Sequence, residues 1–492
     1  MTTALALSML DRLPAGIARP IYRPSDITPG IVHFGVGNFH RAHQSVYLDL
    51  LMNDGKALDW GIIGAGVRAS DTAMRDALSA QDYLTTLVEL GGDPAAARVL
   101  APMIDFIPID DREQLIDRLS DARIRIVSLT ITEGGYFLNS ATGRFDAAHP
   151  EIVADAASPD DPRTVFGLII KGLRRRRDKG LPPFTIMSCD NIPGNGTVTR
   201  QTLAGLAALS DPVFARWIEE NVAFPNAMVD RITPATTDHE RQYLKDTFDL
   251  SDNWPVFCEP FKQWVLEDHF PLGRPPFEDA GVTFTHDVAP YELMKLRILN
   301  GGHAAIAYPA ALMGIHYVHD AMANPLIAAF LEKLELSEIV PIVPPVPDTD
   351  LIAYYRLIAS RFANPKIGDT IPRLCQDGSN RQPKFIIPSS RDRLAQGLDI
   401  TGLALVSALW CRYCALVDDA GYAIAPNDAS AARLQALAIE ARVSPNAFLA
   451  GLHDIFGDVG ESPRFAAVFA GHLGDLWLRG AAAVLSDYVR SR

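Results

Sequence analysis

Between Gly30 and Gly37 the chain is almost continuously apolar and then closes on two glycines, which reads as a buried strand entering a tight turn. A proline-punctuated lead-in (Pro14, Pro20, Pro24, Pro29) precedes it, and helical spacing is expected from about Phe39. The pattern recurs. Trp60 to Gly66 is an apolar strand ending in glycine before Asp71 and a polar helical stretch, Arg125 to Thr132 supplies a third strand, and Phe184 to Ser188 a fourth. Strands that alternate with helices are joined by crossovers, so a parallel α/β sheet is expected. From about Ala289 helical apolar spacing takes over, in Tyr291–Ala307, Ala321–Leu336, Asp350–Phe362, Leu394–Val417 and Pro463–Val489. A chain of 492 residues exceeds one hydrophobic core. The expected organisation is an α/β domain over residues 1–286 followed by a mostly α-helical domain over residues 287–492.

Charge narrows the partners. A formal net charge of −14 opposes nucleic acid or an anionic membrane as the main partner, because both are repelled over most approach directions. The one basic cluster, Lys171 with Arg174 to Arg177, closes the apolar helical stretch Val165–Leu173, where cations oppose the helix dipole and a solvated helix end is expected. The five cysteines are scattered and odd in number, which fits a reducing compartment; Cys411 and Cys414, although spaced C-x-x-C, lie in an apolar helical run and read as buried thiols. The N-terminal apolar run to Leu13 lacks a preceding basic region and a small-residue cleavage site, and nowhere do 18 apolar residues follow one another, so a cytoplasmic, non-membrane protein is expected.

Gly35-Val36-Gly37-Asn38-Phe39-His40-Arg41 lies between the first strand and its helix, where glycines let backbone N–H groups approach a pyrophosphate. His40 stands in the third glycine position of the usual G-x-G-x-x-G, so the motif alone also fits a structural turn. Its place after the first strand, with Asp71 just after the second, favours a dinucleotide. A carboxylate there accepts from the adenosine ribose and repels a 2'-phosphate, which points to NAD over NADP, although Arg68 is close and Asp71 also suits a helix N-cap.

At 3.6 residues per turn, Glu292, Lys295, Asn300 and His303 share an arc of about 140° on one helix, with Leu296 and Leu299 among them. Such a helix alone equally fits a solvated polar face. The twelve histidines show no H-x-x-x-H spacing and no histidine-cysteine-carboxylate cluster, which leaves no zinc signature.

Five segments, Gly35 to Gln44, Ser128 to Tyr136, Met187 to Asn191, Val229 to Pro234 and the Lys295 helix, together resemble the long-chain mannitol dehydrogenase family in identity and order. The resemblance implies a Rossmann-type N-terminal domain, a helical C-terminal domain, NAD as cofactor, a polyol or ketose substrate and hydride transfer without metal. It implies Lys295 as general base, Asn191 and Asn300 as holders of the substrate oxygen, and Glu292 as proton-relay carboxylate. His303, Arg373 and Asp230 are implied as substrate contacts; Arg381 stands where the family has a substrate-contacting lysine. Gly35, Gly37, Asn38, Phe39, Arg41, Asp71 and Glu133 are implied around the cofactor, and a monomer is the expected state.

These roles agree with the chemistry. Removing a hydroxyl proton while hydride leaves carbon creates alkoxide character, which amide donors stabilise where water is excluded. A lysine base needs its pKa brought down from about 10.4 toward roughly 8 to 9 by desolvation. D-mannitol to fructose is the leading reaction, with D-arabinitol and D-sorbitol as further substrates. Fructuronate or tagaturonate reduction is the alternative within the family and needs a cation for the carboxylate, a role open to Arg373 or Arg381. A catalytically silent NAD-binding sensor on the same fold is the alternative from another class.

Overall fold

The apolar run before the glycine turn forms strand β1 (Pro29–Phe34), the middle of a five-stranded sheet with β2 (Gly61–Ala65), β3 (Met103–Ile107), β4 (Ile126–Leu129) and β5 (Thr185–Ser188). The computed structural model describes residues 3–92, 95–139 and 142–491. The strand order is β3-β2-β1-β4-β5 and every neighbouring pair is parallel, as the strand–helix alternation requires. Val32, Phe34, Ile63 and Leu129 face one apolar cluster with Leu115, Phe166 and Leu203, whereas Ile31, Ile62 and Ile126 face another with Tyr47, Leu48 and Trp264. Burial on both faces is why these strands read as unbroken apolar runs rather than as alternation. Order reverses beside β1, so the switch point of the sheet lies at the carboxyl ends of β1 and β4, where α/β folds bind ligands.

The helix expected from Phe39 is two helices: α1 (Asn38–Ala42) and α2 (Gln44–Asn53), separated at His43, whose φ of −121° and ψ of −87° are not helical. Met103–Ile107 lies outside the four expected strands, and among the described residues further unexpected strands build three more sheets. Thr85–Glu89 pairs antiparallel with Ala96–Leu100, and β6 (Ala227–Asp230) pairs antiparallel with β7 (Gln263–Glu267). The basic cluster ends helix α3 (Val165–Asp178), but it is not the solvated end anticipated from sequence. Arg176 is fully buried and donates to the carbonyls of Leu119, Asp121 and Pro182, while Arg175 pairs with Glu113 and Asp117 and Arg174 with Asp211. These cations satisfy carbonyls and carboxylates of the same unit.

By internal contacts the chain divides into Met1–Ala289 and Pro290–Arg492. Among the described residues of the second unit the regular elements are all helical. Helix α4 (Ala289–Met294) runs into a π-helical segment, Lys295–Asn300, and then into α5 (Gly301–Leu312). The apolar stretch from Ala321 is interrupted at Asn324, whose side chain caps α6 (Pro325–Leu334), and ends in a second π segment, Glu335–Ile339. Leu394–Val417 is also interrupted, and only its second part is the buried helix α7 (Thr401–Cys414). The first turn of α7 is capped from a distance, with Glu338 accepting from the N–H groups of Gly402 and Leu403 at 2.6 and 3.0 Å. Cys411 and Cys414 are buried in α7, where burial pushes both thiols far up.

Candidate active site

In the first unit the glycine turn has the shape that only glycine allows. Gly35 has φ of +89°, and a Cβ there would stand 2.1 Å from the carbonyl oxygen of Thr130. At Gly37 a Cβ would meet nothing nearer than Gly35 O at 3.8 Å, so the turn is open on that side to a close-approaching group. Asn38 donates to Pro234 O and Thr236 Oγ1 at 3.1 and 2.9 Å, tying the turn to the segment after β6. Arg41 is 1% exposed, and its guanidinium donates inward to Trp254 O, to Asn38 Oδ1 at 2.8 Å and to Gly37 O at 3.4 Å. It braces the turn from below. Phe39 is half-buried and stacks on His43 with ring centroids 4.9 Å apart.

Asp71 opens the helix Asp71–Ser79, and its Oδ2 accepts from the N–H groups of Val67 and Arg68 at 2.8 and 3.0 Å. Asp71 is the first helical residue and not the N-cap; its carboxylate accepts from the loop before the helix, which fixes it at the end of β2. Past β4, Thr132 holds φ of +65° before a short 3-10 turn, Glu133–Tyr136, in which Glu133 is exposed. Asp190, beyond β5, reaches across to this loop. Its carboxylate accepts from Ile131 N, Thr132 N and Tyr136 Oη at 2.9, 2.8 and 2.6 Å. Asp190 and Tyr136 thus lock together the two loops that present Glu133 and the exposed Asn191, a role that the motif text did not disclose. Asp230 is buried at the carboxyl end of β6.

In the second unit the π turn decides the geometry. The N–H of Gly301 bonds to Leu296 O, five residues back, where an α-helix would reach four back. On a regular α-helix Asn300 lies about 140° around from Lys295. A wider turn returns residues five apart to neighbouring positions, so Lys295 and Asn300, the two ends of the π segment, come onto one side. Lys295 is 9% exposed, and Glu292 is half-buried one turn before it. Asn300 Oδ1 and His303 Nε2 are buried with no hydrogen-bond partner among the described residues. His303 stacks on Phe362 with centroids 4.0 Å apart and planes 17° apart. Burial pushes this imidazole down to about 3, with Asp369 opposing the shift and Arg373, Arg361 and Arg381 adding to it. It is a neutral ring with one nitrogen available to a hydroxyl.

Arg373 and Arg381 therefore belong electrostatically to the surroundings of His303, but they differ in state. Both nitrogens of one edge of Arg373 pair with Asp369, and Arg381 donates to Leu374 O at 2.7 Å. Asp369, Arg361 and Phe362 were not anticipated. The i,i+4 spacing of Asp369 and Arg373 was the available signal for the first.

A parallel α/β unit with a glycine turn at its switch point, joined in sequence to a helical unit that presents lysine, asparagine and histidine from one helix, defines a dinucleotide-dependent oxidoreductase. Residues 29–279 match the mannitol dehydrogenase Rossmann domain, and residues 287–477 the mannitol dehydrogenase C-terminal domain. The chain belongs to the mannitol dehydrogenase family. It is 57% identical over 476 residues to mannitol 2-dehydrogenase of Cereibacter sphaeroides, covering 96% of this chain and 99% of that one. It is 42% identical to mannitol 2-dehydrogenase of Aspergillus oryzae, covering 96% and 95%. Among solved structures, Pseudomonas fluorescens mannitol 2-dehydrogenase in ternary complex with NAD and D-mannitol matches with a TM-score of 0.89 at 43% identity over the whole of both chains. A substrate-free D-sorbitol dehydrogenase matches with a TM-score of 0.89 at 34% identity, covering 98% and 100%.

Proposed function

We propose that this protein oxidises the secondary alcohol of a polyol to the ketose with NAD, D-mannitol to D-fructose first, and D-arabinitol and D-sorbitol as further substrates. The observation that carries the reading is the π segment, which sets buried Lys295 beside Asn300 one turn before a neutral His303. Lys295 takes the hydroxyl proton, and Glu292, one turn earlier, passes it toward water. Asn300 holds the oxygen that gains negative charge and His303 orients the remaining hydroxyls; for Asn191 and Asp230 the same two roles are carried over from the family resemblance. The bound nicotinamide supplies the hydride acceptor. Residues 1–286 hold NAD and residues 287–492 the polyol, and the closed base chemistry of Lys295 calls for no metal.

The residues present fit the cofactor. Open space at Gly37 admits a pyrophosphate, and the carboxylate of Asp71, fixed at the end of β2, repels a 2'-phosphate. Glu133 lies in the loop at the neighbouring strand end.

Polyol is favoured over hexuronate by the state of Arg373. A guanidinium already neutralised by Asp369 attracts a second carboxylate weakly, so Arg373 is better suited to hydroxyls. The same reading has the enzyme working as a cytoplasmic monomer, which five buried, unpaired cysteines support for the compartment. NADH consumption with fructose, xylulose, fructuronate and tagaturonate, beside a Lys295→Ala variant, tests it. Fast lysine-dependent reduction of fructose is the expected result; preference for a uronate, or full turnover by the variant, overturns it.

A further inference from the structure

His40 replaces the third glycine of the dinucleotide turn, whose usual purpose is to let the helix approach the strand closely. The structure shows how a large residue is admitted there. His33 of β1 and His40 of α1 are 0% and 1% exposed, and their rings lie flat on one another with centroids 3.4 Å apart and planes 15° apart. Two planar rings in contact, one from the strand and one from the helix, form a thin spacer.

The hydrogen bonds of His33 run to the turn. Its Nε2 faces Gly35 O at 3.2 Å and Thr130 Oγ1 at 3.0 Å, and Thr130 Oγ1 itself donates to Gly35 O at 2.7 Å. A carbonyl cannot donate, so the proton sits on Nε2. Nδ1 then accepts from Ser128 Oγ, 2.8 Å away. That orientation calls for the Gln44 amide nitrogen to face Ser128 Oγ, 3.1 Å from the amide, and it gives a partner to a buried nitrogen that otherwise has none. Gly35 O is thereby held inward by two donors. Carbonyl and N–H point opposite ways across a trans peptide, so fixing Gly35 O inward fixes Val36 N–H outward, away from the core.

We propose that the stacked His33–His40 pair is the positioning device of the dinucleotide turn, orienting its backbone N–H groups for a pyrophosphate in place of the missing third glycine. The proposal rests on the reading that this turn receives NAD. Burial pushes His33 down to about 3 and His40 well below the usual range, with His33, Arg41 and His43 adding to the shift of His40, so the donor arrangement holds through the working pH range.

The test is fluorescence titration of the full-length protein with NADH, alongside steady-state kinetics. His33→Phe keeps the ring and the stack but removes the donor; it should raise the NADH Kd and KM about tenfold while kcat at saturating NADH changes by less than about threefold. His33→Gln, which returns an N–H donor, should bring the Kd back to within about threefold of wild type. Thr130→Val removes the second donor to Gly35 O, should weaken NADH in the same direction, and decides the matter if His33→Phe does not fold. Wild-type NADH affinity in folded His33→Phe or Thr130→Val, or a fall in kcat at unchanged Kd, overturns the proposal. Gly37→Asp separates the two levels of the argument, because its side chain enters open space and carries a negative charge. Wild-type NADH binding by Gly37→Asp removes the cofactor reading of the turn and the proposal with it; loss of binding there, with His33→Phe unaffected, removes the positioning role alone.

Discussion

Glu335 lies in the second π segment with its side chain fully buried, and neither carboxyl oxygen has a hydrogen-bond partner among the described residues. Its Oε1 stands 3.1 Å from the point where a Cβ on Gly302 would sit, so the carboxyl packs against the start of the helix that carries His303. Burial alone raises its pKa well above the ordinary 4.5. The sign of the linkage follows. Below 4.5 both folded and unfolded chains hold the proton and no penalty arises; above it the unfolded chain releases the proton and the folded chain keeps it, so stability falls as pH rises toward the folded pKa. For as long as the folded chain keeps the proton, the slope is about 1.4 kcal/mol per pH unit. Glu335→Gln keeps the volume and removes the proton equilibrium. Any constant effect of the amide cancels when the comparison is made across pH. With an m-value of about 2–3 kcal/mol/M for a unit of this size, the variant's urea midpoint should gain about 0.5 M on wild type for each pH unit over which folded Glu335 keeps its proton. The assay is urea unfolding of both proteins at pH 5.5, 6.5, 7.5 and 8.5, followed by far-UV circular dichroism. Parallel pH profiles would refute the reasoning, since they require a Glu335 that is ionised or hydrated in the folded protein.

Further outcomes follow from the site. Gly35→Ala drives a Cβ against the Thr130 carbonyl and holds alanine at positive φ, so about 1–3 kcal/mol of stability and all measurable NADH binding should be lost, as thermal melts with and without NADH will show. Asp369→Asn releases Arg373 from its carboxylate partner; fructuronate kcat/KM should rise about three- to tenfold relative to fructose, and an unchanged ratio would remove the neutralisation argument. Prolonged EDTA treatment followed by dialysis should leave fructose reduction intact, measured as NADH consumption.

Local rules carried much of this fold. Apolar runs ending in glycine, alternating with helical spacing, specify a parallel α/β unit because strand burial and crossover connection are both set within about thirty residues of chain. Helical spacing from Ala289 onward likewise specifies a helical unit, although Pro325 and Gly480, with φ of +79°, divide runs that read as continuous. The antiparallel strands Thr85–Glu89, Ala96–Leu100 and Ala227–Asp230 escaped notice because their stabilisation comes from partners and not from their own pattern.

The site divides in the same way. Lys295, Asn300 and His303 were legible as a motif, and so was the glycine turn. Their geometry was not. An α-helical period placed Asn300 at the edge of the lysine's face, and the π turn that brings them together depends on packing of the Lys295–Asn300 segment in the folded unit. Arg41 is implied around the cofactor by resemblance, and Trp254, 213 residues away, turns its guanidinium inward. Arg373 reads as a carboxylate anchor until Asp369 neutralises it, and Asp190 acquires its role from a loop 58 residues earlier. Sequence determines what a short stretch can do by itself, because backbone preference and apolar period are local. The charge, orientation and free valence of a side chain are set by whatever the fold brings beside it, and only the tertiary structure decides that.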